Sequence, residues 1–271
     1  MKAIIVSQQD PAGLNVFQRL VERGFRETQQ EWKGTKILER DGTLLVRVPE
    51  DITHVAGIDA LNAELLVFAS RHKSAAGTKA FTIHATGNIA RPEPSDLGLI
   101  VAAPQFGGVA GELSLVQAQY AGAVLTELRD NAPEGFQVTL EATHHGPTSF
   151  NTPMFFAELG SSENEWPNPD YGALLADAIL RGIGRQPSGK TAIGVGGNHY
   201  CAAFNPLAGE YHFGHIAARS TRPALDAAMI SQLVSKTLPK PDVLFVDGNG
   251  ITGKEELRKL LSHATCKVEW I

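Results

Sequence analysis

Short apolar, β-branched runs alternate along this chain with stretches whose apolar residues recur every three or four positions. These are the periods of a buried strand and of an amphipathic helix. Ala3-Ile4-Ile5-Val6-Ser7 reads as a strand, and Leu14, Phe17, Leu20 and Val21 as the helix after it, closed at Gly24. Lys36 to Arg40 and Thr43 to Val48 form a hairpin about Asp41-Gly42, a good two-residue turn. Glu64 to Ser70, Lys79 to His84 and the apolar run Leu97 to Ala103 follow. From Gly108 the spacing of Leu113, Val116, Tyr120, Val124 and Leu128 predicts one long helix. Phe136 to Ala142 and Met154 to Leu159 are strands flanking a histidine-rich loop, and Tyr171, Leu174, Leu175, Ala178 and Ile179 mark a helix ending near Gly182. Lys190 to Val195 is a strand running into Gly196-Gly197, and His212 alternates outward on a further strand. Leu225, Met229 and Leu233 lie on a helix, Asp242 to Val246 on a strand, and Cys266 to Trp270 on a last strand. Thr252 and Glu255 have capping-box spacing ahead of Leu257, Leu260 and Leu261. Pro92 to Pro94 and Trp166 to Pro169 read as loops.

Strands alternating with helices predict an α/β fold: a mainly parallel mixed sheet with helices on both faces. With 271 residues and neither a repeat nor a Pro/Ser linker, residues 1–271 read as a single α/β unit, with two subdomains meeting near residue 105. Apolar residues at 43% and charged residues at 20% exclude a disordered chain. The apolar start of MKAIIVSQQD is too short for a signal peptide, and no apolar run reaches membrane-spanning length. Cys201 and Cys266 cannot build a disulfide framework, so the expected compartment is the cytoplasm. A formal net charge of −5 argues against nucleic-acid packaging, though a protein handling one RNA end needs only a local basic patch.

Nine histidines, several beside glycines, give the first chemical signal. In α/β sheets ligands bind outside the carboxyl ends of the strands. His84, Glu141, Glu158, His199 and Asp247 fall at such ends and are expected to converge on one crevice. His144 and His145 follow Glu141. Imidazole with carboxylate suits zinc, whose open position activates water, although no HExxH or zinc-finger spacing occurs. Gly196-Gly197 would let main-chain N–H groups approach an oxyanion or phosphate. His215 is preferred to His212 as a chemical residue, while His54 and His263 read as surface groups. Arg71-His72-Lys73-Ser74 is the densest basic spot beside the crevice. The chain has no G-x-S-x-G, no P-loop and no G-x-G-x-x-G, which removes the main support for serine-hydrolase, kinase and dinucleotide readings.

Six blocks in order carry a resemblance: Ser70-Arg-His72-Lys73-Ser74, His84-Ala-Thr-Gly87-Asn88, Glu141-Ala-Thr-His144-His145-Gly-Pro147, Phe156-Ala-Glu158-Leu-Gly160-Ser161, Gly196-Gly197-Asn198-His199-Tyr200 and Gly214-His215-Ile216. Together they resemble the archaeal and plant class of D-aminoacyl-tRNA deacylases over essentially the whole chain. The resemblance implies hydrolysis of the ester joining a D-amino acid to the tRNA 3′ end, an association with zinc, and a fold similar to peptidyl-tRNA hydrolase and phosphorylase-like folds. The chain departs from the family at Asp247-Gly248-Asn249-Gly250, where Asp-Trp-Lys-Gly is expected, so a lysine contact is lost there.

The resulting expectation assigns catalysis to Glu141, His144, His145, His199 and His215. Substrate contacts fall to His72, Lys73, His84, Asn88, Gly196, Gly197 and Asn198, and a zinc ion to His84, His145, Glu158 and His199. The expected partner is the aminoacylated 3′ end of tRNA, approached along Arg71, Lys73 and Arg91 by a monomer or small homo-oligomer without membrane contact. Two other readings fit the same residues: a zinc-dependent peptidase or amidohydrolase acting on small substrates, and a non-enzymatic module that binds a nucleotide or aminoacyl end.

Overall fold

The computed structural model describes residues 1–89 and 105–271 in full, and the backbone alone of 93–95 and 98–100. In chain order the strands are β1 (Lys2–Ser7), β2 (Arg26–Trp32), β3 (Thr35–Arg40), β4 (Thr43–Val48), β5 (Leu65–Arg71), β6 (Ala80–His84), β7 (Glu93–Ser95), β8 (Gly98–Ile100), β9 (Val116–Gln117), β10 (Gln137–Leu140), β11 (Met154–Gly160), β12 (Lys190–Gly196), β13 (Tyr211–Ala217), β14 (Thr237–Leu238), β15 (Val243–Asp247) and β16 (Lys267–Trp270). The helices are α1 (Pro11–Glu22), α2 (Ala118–Asn131), α3 (Pro169–Gly184), α4 (Ala227–Ser235) and α5 (Lys254–Leu261).

Two sheets carry the fold. The larger has the order β10-β6-β11-β5-β1-β4-β3-β2 and the smaller β13-β12-β15-β16. The smaller sheet is parallel throughout. In the larger, β1 runs parallel to β4 and β5, and β5 to β11, but β11 meets β6 antiparallel. β6 and β10, parallel to each other, therefore run against β5 and β11.

Alternation along the strands sorts the side chains into cores. Val67 and Ala69 of β5 and Phe155, Ala157 and Leu159 of β11 face α1, α2 and α3. Through α2 this core continues into Ala192, Phe213 and Phe245 of the smaller sheet. The opposite face of the larger sheet presents Phe68 and Phe156, packed with Ile5, Val46 and Phe150. A third core lies between Ile193, Val195 and Leu244 of the smaller sheet and Leu233 and Leu257 of α4 and α5. Each fully buried side chain of this size contributes roughly 1.5–3 kcal/mol. Among the described residues no helix is long and apolar enough to cross a membrane.

Several local expectations are corrected. The helix read from Gly108 begins only at Ala118. Gly108 and Gly111 have φ of +77° and +74°, which no α-helix accepts, and Val116-Gln117 pairs instead with β14. The expected capping box does not form, since the N-cap of α5 is Gly253, which offers no side-chain cap. Pro94 lies in β7, paired antiparallel with β8, and not in a loop. Of Leu97 to Ala103 only Gly98–Ile100 is described, as strand β8; Leu97, Ala103, Pro92 and Arg91 lie outside the described residues. His212 is half-buried against α2, where a Cβ on Gly122 would lie 2.0 Å from its Nδ1. Strand β2, the polar run Arg26–Trp32, has no alternation to reveal it because most of its residues are exposed at a sheet edge.

Helices α2 and α3 touch where Gly182 meets Val124: a Cβ there would come within 2.8 Å of the Val124 backbone nitrogen. Gly182→Ala is expected to cost about 1–3 kcal/mol by overpacking, while leaving the chemistry of the folded molecule unchanged. Urea unfolding at neutral pH checks this; an unchanged midpoint would refute the close packing.

Candidate active site

The site begins with the register of β5, β11 and β6. Glu158 pairs with Ser70 on one side and Thr82 on the other, and Phe156 pairs with His84. Paired residues share a face, so Ser70, Thr82, His84, Phe156 and Glu158 all point away from α1 and α3. Ser70 Oγ donates to Glu158 Oε1 at 2.8 Å and Thr82 Oγ1 to Oε2 at 3.4 Å. The His84 ring stacks on Phe156, with centroids 5.2 Å apart. The site thus lies on a sheet face. The expectation of a crevice at a common carboxyl edge fails because β6 and β10 run opposite to β5 and β11.

Over this face the chain after β10 crosses to the smaller sheet. Ala142 N donates to His199 O at 2.8 Å and Thr143 N to Ile216 O at 2.8 Å. The crossing brings Glu141, His144 and His145 over His84, with His199 arriving from beyond β12. Ring centroids lie 4.2 Å apart for His84–His144, 4.4 Å for His144–His145 and 4.7 Å for His144–His199. Glu141, His144, His145 and His199 line a cavity of about 390 Å³ that also takes in Asp10, Asp51, Arg71, His72, Lys73 and Phe106. Two larger cavities of about 620 Å³ each lie elsewhere and hold none of these clustered histidines, so chemistry picks the site and volume does not.

Two carboxylates organise the charge. Glu141 Oε1 lies 3.1 Å from His199 Nε2 and 3.4 Å from His72 Nδ1. Glu158 lies 3.6 Å from both His72 Nδ1 and His84 Nε2. Burial opposes the charge of each glutamate, but the histidines outweigh it and hold both carboxyls well below the usual carboxylate range. Burial likewise opposes a charged His72, yet Glu141 and Glu158 push its pKa up to about 10. His84 is also raised, Glu158 outweighing burial. His144 and His145 go the other way. Burial, helped by the neighbouring histidines, pushes His144 well down and His145 to about 4.

Tautomers follow from the partners. His84 Nδ1 faces Ala85 O at 3.2 Å, His144 Nδ1 faces Ala142 O at 2.7 Å, and His145 Nδ1 faces Gly146 O at 2.6 Å. A carbonyl only accepts, so each Nδ1 carries hydrogen and each neutral ring offers its Nε2 lone pair. Metal-ligating histidines are held in this way. His84, His144 and His145 can place ligand atoms within 4.8 Å of one another; so can Glu141, His144 and His199, and so can His72, Glu141 and Glu158. Buried His84 Nε2 and Glu141 Oε2 have no hydrogen-bond partner, as expected of atoms that a ligand would satisfy.

Measured against the sequence, His84, Glu141, His144, His145, Glu158 and His199 meet. The expected zinc set does not form one group, because His199 lies with Glu141 and His144, while Glu158 lies with His72 and Glu141. His72, expected to contact substrate, lines the cavity and is buried between the two glutamates. His215 is wholly buried away from the cavity, with Nε2 on Ser114 O at 2.9 Å and Nδ1 on Thr143 Oγ1 at 3.2 Å. Asp247, the fifth strand end, does not join; its Oδ1 accepts from Asn249 N. Gly196 and Gly197 do not line the cavity either: a Cβ on Gly196 would meet Asp247 O at 2.4 Å, so its close approach is to a neighbouring strand. Asn198 Oδ1 accepts from Ala202 N, and Asn88 Nδ2 donates to Gly107 O and Val109 O, so both hold loops. Beside Gly248, where the family pattern has tryptophan, the Trp270 ring comes within 3.1 Å of a built Cβ. Buried Cys201 bonds His199 O, and burial pushes its thiol up, which excludes a thiolate nucleophile. Sequence reading missed Asp10, the α1 cap that accepts from Gly13 N and Arg71 N, and Tyr200, whose hydroxyl lies 3.4 Å from His72 Nε2. The capping position of Asp10 before Pro11 was the available signal for the first; Tyr200 had none apart from its place in a histidine-bearing block.

Comparison with known proteins gives one answer. A family model described as D-aminoacyl-tRNA deacylase matches residues 59–269. A D-aminoacyl-tRNA deacylase of Pyrococcus horikoshii is 32% identical over 280 residues, covering 97% of both chains. One of Thermococcus onnurineus is 31% identical over 276 residues, again with 97% coverage of each. A crystallised conserved protein of unknown function superposes with a TM-score of 0.87 at 27% identity, covering 100% of this chain and 95% of its own.

Proposed function

The chain belongs to the D-aminoacyl-tRNA deacylase family, and we propose from that premise that its histidine–glutamate cavity hydrolyses the ester between a D-amino acid and the 3′ end of tRNA. The products are the free D-amino acid and tRNA, a quality-control step that belongs in the cytoplasm. The observation that carries the chemistry is Glu141 held 3.1 Å from His199 beside three further imidazoles. His199 is the exposed member of the pair, at 46%, and Glu141 is fully buried. A buried carboxylate orienting a solvent-facing imidazole is a general acid–base pair. His199 takes a proton from the attacking water as the carbon–oxygen bond forms. It returns the proton to the ribose oxygen as the ester bond breaks. His72, protonated between Glu141 and Glu158, keeps both carboxylates in place.

His84, His144 and His145 would hold a zinc ion through their Nε2 atoms, which fits the orphaned His84 Nε2 and the three carbonyl-bonded Nδ1 atoms. Zinc bound there would supply a water with a pKa of about 7. The test is to incubate the purified protein with D-aminoacyl-tRNA and with L-aminoacyl-tRNA, before and after dialysis against a strong chelator, with zinc measured by elemental analysis. Preferential release of the D-amino acid, lost with the metal and restored by zinc, is expected. Undiminished turnover by metal-free protein would remove zinc from the account, and equal rates on both esters would remove D-selectivity.

A further inference from the structure

The catalytic cavity does not end at the histidines. A second cavity of about 320 Å³ adjoins it, lined by Gly87, Asn88, Ile89, Gln105, Ala110 and Thr221. Both cavities share Phe106, His144 and His145. Their linings differ in kind. The first carries Asp10, Asp51, Glu141, Glu158, Arg71 and Lys73, while among the described residues the second adds no ionisable side chain to the shared histidines.

Phe106 stands between them with its side chain out of the core. It is 58% exposed, among the few large apolar residues in the described chain left so open. Its backbone is nevertheless anchored, because its carbonyl accepts from Gly146 N at 2.8 Å, one residue from His145. An aromatic ring tied by its backbone beside reactive groups, and not buried itself, is a stacking platform.

The substrate has the same division. Resting on the deacylase reading, an aminoacylated tRNA end consists of a charged amino acid on one side of the ester and a flat, neutral base on the other. The ester must lie at the shared histidines, so one part enters each cavity. The ammonium group of the amino acid suits the cavity with the carboxylates. We infer that the smaller, uncharged cavity receives the 3′-terminal adenosine of the tRNA, with its base stacked on Phe106. Gln105 and the Asn88 loop then border the base edge. Phe106 is a positioning residue, since it touches no reacting atom.

The test uses short RNA hairpins ending in CCA or in CCC, titrated by fluorescence anisotropy into the wild type, Phe106→Ala and Phe106→Trp. Stacking predicts that the wild type prefers the CCA hairpin, that Phe106→Ala binds it roughly tenfold more weakly and loses the preference, and that Phe106→Trp retains both. With D-aminoacyl-tRNA the KM of Phe106→Ala should rise by a similar factor while kcat stays within about twofold. CCA affinity and KM unchanged in Phe106→Ala would overturn the assignment. Hairpin binding needs no turnover, so the two readings separate. Phe106-dependent CCA binding by a protein that leaves D-aminoacyl-tRNA intact upholds the adenosine site and rejects the deacylase. Deacylation with a KM indifferent to Phe106 does the reverse.

Discussion

Glu141→Gln is expected to lower kcat for D-aminoacyl-tRNA roughly 10²–10⁴-fold, the range for loss of a general acid–base group. The amide keeps the shape of the carboxylate but cannot stabilise the imidazolium that His199 becomes when it takes the proton from water. It also leaves His72 with Glu158 as its single carboxylate partner. Breaking a buried ion pair on one side costs about 3–5 kcal/mol, so the variant should be less stable but still folded. Zinc content should persist, because the proposed ligands are His84, His144 and His145. His145→Ala, in contrast, should lose metal and activity together. Elemental analysis alongside single-turnover rates separates the two roles. A Glu141→Gln protein with wild-type kcat would end the acid–base assignment.

Acid should destabilise the protein through His215. Burial pushes its pKa to about 4, against about 6.5 for an ordinary histidine. Ser114 O can only accept, so Nε2 carries the hydrogen and Nδ1 accepts from Thr143 Oγ1. A proton on Nδ1 would break that second bond inside the core. Between these two pKa values the unfolded chain binds more protons than the folded one. Stability is therefore full above pH 6.5 and falls as the pH drops toward 4. Two and a half units correspond to roughly 3 kcal/mol. Urea unfolding of the wild type and His215→Gln at pH 7, 5 and 4 tests this. The variant starts less stable, and its deficit should shrink with acidification because glutamine does not titrate. A constant deficit across that range would show that His215 does not couple folding to pH.

Much of the architecture could be read from the chain because its strands are buried on both faces and announce themselves as apolar runs. β1, β5, β11, β12 and β15 are of this kind. Strand direction could not be read. Nothing local in Ala80–His84 says that it runs against β11, and that reversal moved the site from a sheet edge to a sheet face. The false start of α2 has a similar origin: Leu113 and Val116 have helical spacing with Tyr120, but Leu113 packs in another core and Val116 pairs as a strand with β14. In the site, His84, Glu141, His144, His145, Glu158 and His199 come together as their places in the sequence blocks suggested. His215 was misplaced because a buried histidine that holds loops together looks the same in sequence as one that faces a substrate. His72 was read as part of a basic spot beside the crevice, since sequence alone cannot show that Glu141 and Glu158 enclose it.

The crossing from β10 to the smaller sheet has a consequence for synthesis. Glu141 lies in the first half of the acid–base pair and His199 arrives fifty-eight residues later, after α3 and β12. A ribosome that has released the chain through Gly160 has already delivered His84, His144, His145 and Glu158, the proposed metal ligands with their carboxylate. The nascent protein can thus be loaded before it is competent. The acid–base pair is completed only when the chain that follows β12 brings His199 to Glu141.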